Sequence, residues 1–227
     1  MSQTITNPNE WEPLEPLHRR ILGVLIEKSK TTPDSYPLSL NALATGCNQK
    51  SNRDPILDLE DEEVEQALPA LQKRGLVSRV AGGRVDRWRH HAYEAWSVGR
   101  VELGILAELL LRGPQTEGEL RTRVSRMDAI SDLDSQRATL KELVRRGLVV
   151  WLDPEGRRGA QITHGFYPPA ELETLKSGTG RHDEVAEVFS AKRLEADSVI
   201  NDRVTALEAR VRELAEQLES LRKAVGG

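Results

Sequence analysis

Arg137, Lys141 and Arg145 stand at i, i+4 and i+8 of one stretch, beside an apolar face made by Leu140, Leu143 and Val144. Three cations in one stripe can meet a run of phosphates, and such contacts supply most of a protein's affinity for duplex nucleic acid. Two further basic groups accompany them. Arg79, Arg84, Arg87, Arg89, His90 and His91 surround Trp88, and Arg157 and Arg158 sit together in "DPEGRRGA", 153–160. The candidate nucleic-acid-binding residues are therefore Arg137, Lys141, Arg145, Arg84, Arg87, Arg89, Arg157 and Arg158.

The rest of the charge is unhelpful to that chemistry. The chain is formally −4, with residues 1–98 at −2, 99–170 at +1 and the remainder at −3. Bulk electrostatic coating of nucleic acid is excluded, and only local patches remain. Seventy-two positions before the basic stripe stand Glu65, Pro69 and Lys73, in a stretch that opens "LEDEEVEQ". Acids at a helix start suit its dipole but repel phosphates. Solvated charges on ordinary helices are the competing explanation for every basic residue named.

"CNQKSNRDP", 47–55, is a polar, turn-rich loop, which makes Asn48, Gln49, Lys50, Ser51, Asn52, Arg53 and Asp54 a candidate functional loop. Lys50 and Arg53 could reach a phosphate or an acidic partner. Alternatively the Asn, Ser and Asp side chains satisfy nearby backbone groups and cap helices. Catalytic signals are poor. His18, His90, His91, His164 and His182 lack the spaced Cys or carboxylate partners of a metal site. His90 and His91, adjacent on a strand, point to opposite faces. Cys47, the sole cysteine, reads as packing and fits a reducing compartment. "GTGRH", 178–182, lacks the strand before and the Lys-Ser/Thr after that a phosphate loop needs. No metal, no cofactor and no enzymatic activity are expected.

The elements that position these residues are written twice. "ALPALQKRGLV" (67–77) and "TLKELVRRGLV" (139–149) share six of eleven positions, Arg-Gly-Leu-Val entire. In each, a helix runs into a glycine suited to a left-handed cap, with Lys73 and Arg74 placed for the negative end of the helix dipole, followed by a strand. Gly82-Gly83 reads as a two-residue hairpin turn between "LVSRVA" and "RVDRW". Upstream, "LGVLIE" (22–27) is echoed by "LGILAE" (103–108), and "LSLNALATGC" by "TEGELRTRV". Ser39 or Asn41 caps the former. The order helix, helix, helix, hairpin predicts two winged-helix units, at 14–98 and 99–170.

The ends differ. Residues 1–13 read as a disordered N-terminus, and the Pro, Gly and Ser of 168–183 read as a linker, drawn at 171–183. Residues 184–225 read as a helix. Its seam of Ile200, Val204, Leu207, Val211, Leu214, Leu218, Leu221 and Val225 alternates by three and four, as a two-stranded coiled coil requires. The alternative is that this seam folds back onto its own winged helices. The apolar runs fall far short of the ~20 residues of a membrane span.

On "LSLNALATGCNQKSNRDP" (38–55), "ALPALQKRGLV" (67–77) and "RVELGILAELLLRGPQTEGEL" (100–120) the chain resembles the YceH-like bacterial family. The resemblance covers about residues 14–170 and implies a tandem winged-helix fold. It brings no ligand and no catalytic residue.

The expected fold is α+β, mainly α with small β-hairpins: two tandem winged helices and a C-terminal coiled-coil helix. The expected function is cytoplasmic and non-enzymatic, a transcription-regulator-like protein that binds double-stranded DNA and forms a homodimer through its C-terminal helix. The alternative is a scaffold that docks a protein partner without reading DNA.

Overall fold

The computed structural model of the protein describes residues 11–81, 83, 85–178 and 210. The heptad seam, Arg84, Gly82 and His182 lie outside the described residues. The described residues from 11 to 178 belong to one compact unit.

The first repeat runs α1 (Pro16–Thr31), a 3-10 turn (Pro33–Ser35), β1 (Leu38–Ser39), α2 (Leu40–Cys47), α3 (Asp61–Lys73), β2 (Val77–Val80), β3 (Arg87–His90) and α4 (Ala92–Trp96). The second runs α5 (Arg100–Arg112), β4 (Gln115–Thr116), α6 (Glu117–Val124), α7 (Leu133–Arg145), β5 (Val149–Trp151), β6 (Gln161–His164) and α8 (Pro169–Lys176). Each repeat folds its strands into a three-stranded antiparallel sheet, ordered β1-β3-β2 in one and β4-β6-β5 in the other. The class is α+β.

Local chemistry starts each helix where the sequence writes a cap. Ser39 caps α2 by accepting from the Ala42 N–H at 3.3 Å. Thr116 and Glu119 close a reciprocal capping box on α6. The Asp132 carboxylate accepts the Ser135 N–H at 2.7 Å and starts α7.

The repeated Arg-Gly-Leu-Val ends α3 and α7 identically. Gly75 (φ +69°) and Gly147 (φ +68°) adopt the left-handed conformation. The glycine N–H bonds back to Gln72 or Val144, and the next leucine N–H to Leu71 or Leu143. Both bonds of a Schellman cap are therefore present twice. The arginine before each glycine clasps the chain that enters its own repeat. Arg74 donates to the carbonyls of Glu12 and Pro13, each at 2.8 Å, and Arg146 donates to the Trp96 carbonyl. That clasp is what the repeated ending adds to a helix stop.

The core is aliphatic and centred on α1 and α5, which pack on each other more extensively than any other pair of elements. Ile21, Leu22, Val24, Leu25 and Ile26 of α1 are fully buried. Residues 103–111 of α5 are buried all round, the pattern of a helix covered on every face. Trp96 stacks on Phe166 at 4.7 Å, and Trp11 meets the same ring edge-on at 6.3 Å.

Four expectations need correction. The N-terminal expectation of disorder fails from Trp11 onward, where the Trp11 indole N–H donates to the Arg146 carbonyl at 2.8 Å and Leu14 bonds to Phe166. The linker contains α8, whose Glu171 pairs with Arg19 of α1 at 2.8 Å. Its start is a proline at the first helical position, where the missing N–H costs nothing. The first hairpin does not close at Gly82-Gly83. Its last pair is Val80–Arg87, and Gly83 lacks the positive φ that a two-residue turn needs. Finally, the short β1, β4 and α4 add elements the periodicity does not announce.

Candidate nucleic-acid interface

The structure places Arg137, Lys141 and Arg145 together on the exposed face of α7, with Leu140 and Leu143 buried beneath. Two of the three have carboxylate neighbours. Arg137 lies 3.5 Å from Glu117 and Arg145 2.6 Å from Glu142, with the two guanidinium side chains 57% and 70% exposed. Pairs this exposed are screened by water and hold a side chain only weakly, so an incoming phosphate competes on even terms. The Glu142 carboxyl sits below its ordinary pKa because Arg145 donates to it.

The equivalent face of α3 is different chemistry. Glu62, Glu65, Gln66 and Pro69 lie away from its buried Val64, Leu68 and Leu71. Glu60 and Glu63 close a capping box at its start. The two helices share two buried leucines, Leu68 and Leu71 matching Leu140 and Leu143. They differ on the solvent side and at one core position, where α7 buries Gln136 in place of Val64.

On the first hairpin, Arg87 and Arg89 share the exposed face of β3 while Trp88 and His90 face inward. Arg87 donates to the Pro37 carbonyl at 2.8 Å, and Arg79 pairs with Asp86 at 3.2 Å. On the second hairpin, Arg157 pairs with Asp153 at 3.2 Å and Arg158 is exposed beside it. The stripe of α7 and the second hairpin meet at a cavity of about 250 Å³ lined by Arg137, Arg157, Arg158, Glu117 and Trp151.

The histidines are structural in geometry. His90 and His164 end the third strand of their sheets, paired with Val77 and Val149. Each Nδ1 accepts the N–H two residues on, from Ala92 and Phe166, at 3.2 Å. Burial lowers the pKa of both, His90 to about 4. His91 shares a 2.7 Å hydrogen bond with Ser78.

In the 48–54 loop, Asn48, Gln49, Asn52 and Arg53 are engaged by neighbouring groups of the fold. Arg53, offered by the sequence as a phosphate ligand, is 4% exposed. Its guanidinium pairs with Glu27 and donates to Gly46 at 3.0 Å, Asn52 at 2.8 Å and Gln49 at 2.8 Å. Asn48 clamps Leu59 through both its amide groups, and the Asn52 side chain accepts from Arg112 at 3.2 Å. The Asp54 N–H donates to Leu111 of α5 at 3.0 Å. Lys50 and Ser51 remain exposed.

Sequence reasoning missed the charged cluster between the repeats. Glu27 of α1 and Glu108 of α5 are buried and both engage Arg126, with Arg53 and Arg112 adding further cations. Burial would raise the Glu27 pKa, but the guanidinium groups of Arg53 and Arg126 outweigh it and hold the carboxyl below its usual range. Nearby, Lys30 pairs with Asp128 and donates to Tyr93 at 3.1 Å. The signal was present: both glutamates close the repeated apolar run, "LGVLIE" and "LGILAE". Cys47 is fully buried, and burial pushes its thiol up to about 12. Among the described residues, no group of His, Cys, Asp or Glu is placed to hold a metal ion, and no helix is long and apolar enough to cross a membrane.

The fold and its surface define a tandem repeat of three-helix units, each closed by a three-stranded sheet, with the basic helix face on the second. The family described as "Protein of unknown function, DUF480" matches residues 14–157. A UPF0502 protein of Rhodopirellula baltica is 43% identical over 87% of this chain and 85% of its own length. Those of Solibacter usitatus (38%; 94% and 98%) and Azotobacter vinelandii (41%; 86% and 88%) are similar along comparable spans. The chain belongs to this bacterial family, the YceH-like or UPF0502 proteins.

Proposed function

We propose that the chain is a non-enzymatic DNA-binding protein of transcription-regulator type, built from two tandem winged helices. Its α7 is the recognition helix that enters the major groove, and the two hairpins are wings. The observation that carries the reading is the exposed line of Arg137, Lys141 and Arg145 over the buried Leu140 and Leu143. Arg157 and Arg158 extend the same surface, and Arg87 and Arg89 add the first wing. The solitary, buried Cys47 suits a reducing cytoplasm. Anisotropy titration of labelled genomic fragments at several salt concentrations tests the reading. Affinity should fall linearly on a logarithmic salt scale, and an absence of binding at ~50 mM salt overturns it.

One observation favours a second reading, a protein-docking scaffold. The solvent side of α3 carries Glu62 and Glu65 where a DNA reader needs cations. That face suits a basic protein partner, and it stands as the explanation if the titration shows no binding.

The heptad residues from Ile200 to Val225 support a parallel homodimer, since β-branched residues dominate one seam position and leucine the other. Light scattering on the full chain should give a dimer and, after truncation at about Arg181, a monomer. A full chain monomeric at tens of micromolar removes the dimer.

A further inference from the structure

The cavity of about 250 Å³ beside the second hairpin is enclosed by four elements. The first turn of α6 gives Thr116, Glu117 and Gly118, α7 gives Arg137, β5 gives Trp151, and the loop gives residues 156–160. We propose that this cavity is a binding site for a phosphate group. The proposal deepens the DNA-binding reading and rests on it for one of its two possible ligand sources, a backbone phosphodiester or a free phosphomonoester.

Three independent features converge on an anion there. First, Arg137, Arg157 and Arg158 line the cavity against a single acid, Glu117. The acids that engage two of these arginines do so weakly: Glu117 lies 3.5 Å from Arg137, and Asp153 pairs with an Arg157 side chain that is 68% exposed. A phosphate offers shorter, charge-assisted hydrogen bonds to the same groups. Second, the cavity opens on the first turn of α6. The Thr116 hydroxyl is already taken by the Glu119 N–H. Helix geometry leaves the Glu117 and Gly118 N–H groups without an intrahelical acceptor, at the positive end of the dipole. Third, the loop is built to present its arginines. Two successive turns, Arg157 N–H to Pro154 and Ala160 N–H to Arg157, are set by Gly156 (φ +83°) and Gly159 (φ +77°). They fold the Arg157-Arg158 pair onto the cavity wall.

Size sets the ligand class. The volume is below the ~300–1,000 Å³ of ordinary small-molecule pockets, so it takes a phosphate with part of an attached sugar, the latter against Trp151. The first repeat lacks the site: Glu65 stands where Arg137 stands in the second.

The test uses the full chain with inorganic phosphate as probe, by calorimetric titration against chloride at matched ionic strength. Anisotropy with a non-specific DNA duplex runs in parallel. Phosphate should bind. Arg158→Ala should weaken it about tenfold, and Glu117→Gln, which removes the competing acid, should tighten it. Because Arg158 is exposed, its variant keeps the fold, which circular dichroism checks. If Arg158→Ala also weakens the duplex, the source is the DNA backbone. If phosphate binds while the duplex does not, or is indifferent to Arg158, the site stands as one for a free phosphomonoester. Wild type that binds no phosphate overturns the proposal, and duplex binding that persists in that case leaves the DNA reading intact.

Discussion

Glu27 and Glu108, equivalent residues of the two repeats, share one guanidinium. Arg126 reaches Glu27 with Nη1 and Glu108 at 2.9 Å with Nη2. Neither carboxylate side chain is more than 2% exposed. The link joins α1 to α5, the two helices at the centre of the unit, so it fixes the repeats against each other.

Arg126→Met therefore leaves two buried carboxylates short of a cation. Breaking a buried pair from one side costs about 3–5 kcal/mol, most of it the uncompensated charge. Urea unfolding should show a loss in that range. Adding Glu108→Gln to the same chain should recover part of it, because its other cation, Arg112, is 23% exposed and can meet water, whereas Glu27 must stay charged to neutralise the buried Arg53. A decrease smaller than about 1 kcal/mol would mean that Arg53 and Arg112 already neutralise the pair.

The left-handed caps make a separate prediction. An added Cβ at Gly75 would touch nothing, so Gly75→Ala suffers only from its positive φ, about 1–2 kcal/mol. Gly165 is the opposite case. A Cβ there would collide with the Gly147 carbonyl oxygen, a backbone atom that cannot swing aside. Gly165→Ala should be the more damaging by chemical denaturation, and equal effects would contradict the packing of β6 against the α7 cap.

Which features the sequence revealed follows from their range. The left-handed glycine caps and the N-cap at Ser39 are local chemistry, and their residues announce them; Thr116 and Asp132 cap α6 and α7 by the same local chemistry. The hairpin register is not local. Pairing across Gly82-Gly83 and the observed pairing of Val80 with Arg87 differ by a shift that keeps every side chain on its face, so alternation cannot separate them. Arg126 lies 99 positions from Glu27, and only the fold brings them together. The basic stripe was legible because i, i+4 spacing is a helix property. The cavity was not, because Trp151, Glu117 and Arg137 belong to three elements.

For DNA binding, the contrast between α7 and α3 gives a paired test. Arg137→Ala, Lys141→Ala and Arg145→Ala combined should weaken binding and flatten the salt dependence by about one unit of slope for each phosphate no longer neutralised. Glu62→Ala with Glu65→Ala should leave affinity unchanged or slightly raise it. If the α3 pair instead weakens binding and the α7 triple does not, the recognition helix belongs to the first repeat.

The two strand-end histidines predict an acid-sensitive fold. His90 and His164 are at most 8% exposed, and burial holds both below their ordinary value of 6.5. His90 sits against Ser29, Tyr36 and Tyr93; burial, with His91, Lys30 and Arg89, outweighs the nearby Glu94, which favours the protonated ring. In the unfolded chain both imidazoles take a proton as pH drops through 6.5. In the folded chain His90 does so only near 4, so the unfolded state binds more protons in between. Stability is therefore full above about pH 7 and is lost as pH falls from 6.5 toward 4, by up to ~1.4 kcal/mol per pH unit for each histidine. Glu27, whose folded pKa is depressed, adds a loss in the same direction only below about 4.5. Urea unfolding at pH values of about 7.5, 6.0 and 5.0 should show the decline, and His90→Gln should reduce its slope between about 6.5 and 5. A profile flat across that window, in the wild type, would show that the folded chain gains as many protons there as the unfolded one, so that these imidazoles titrate in the fold as they do in the open chain.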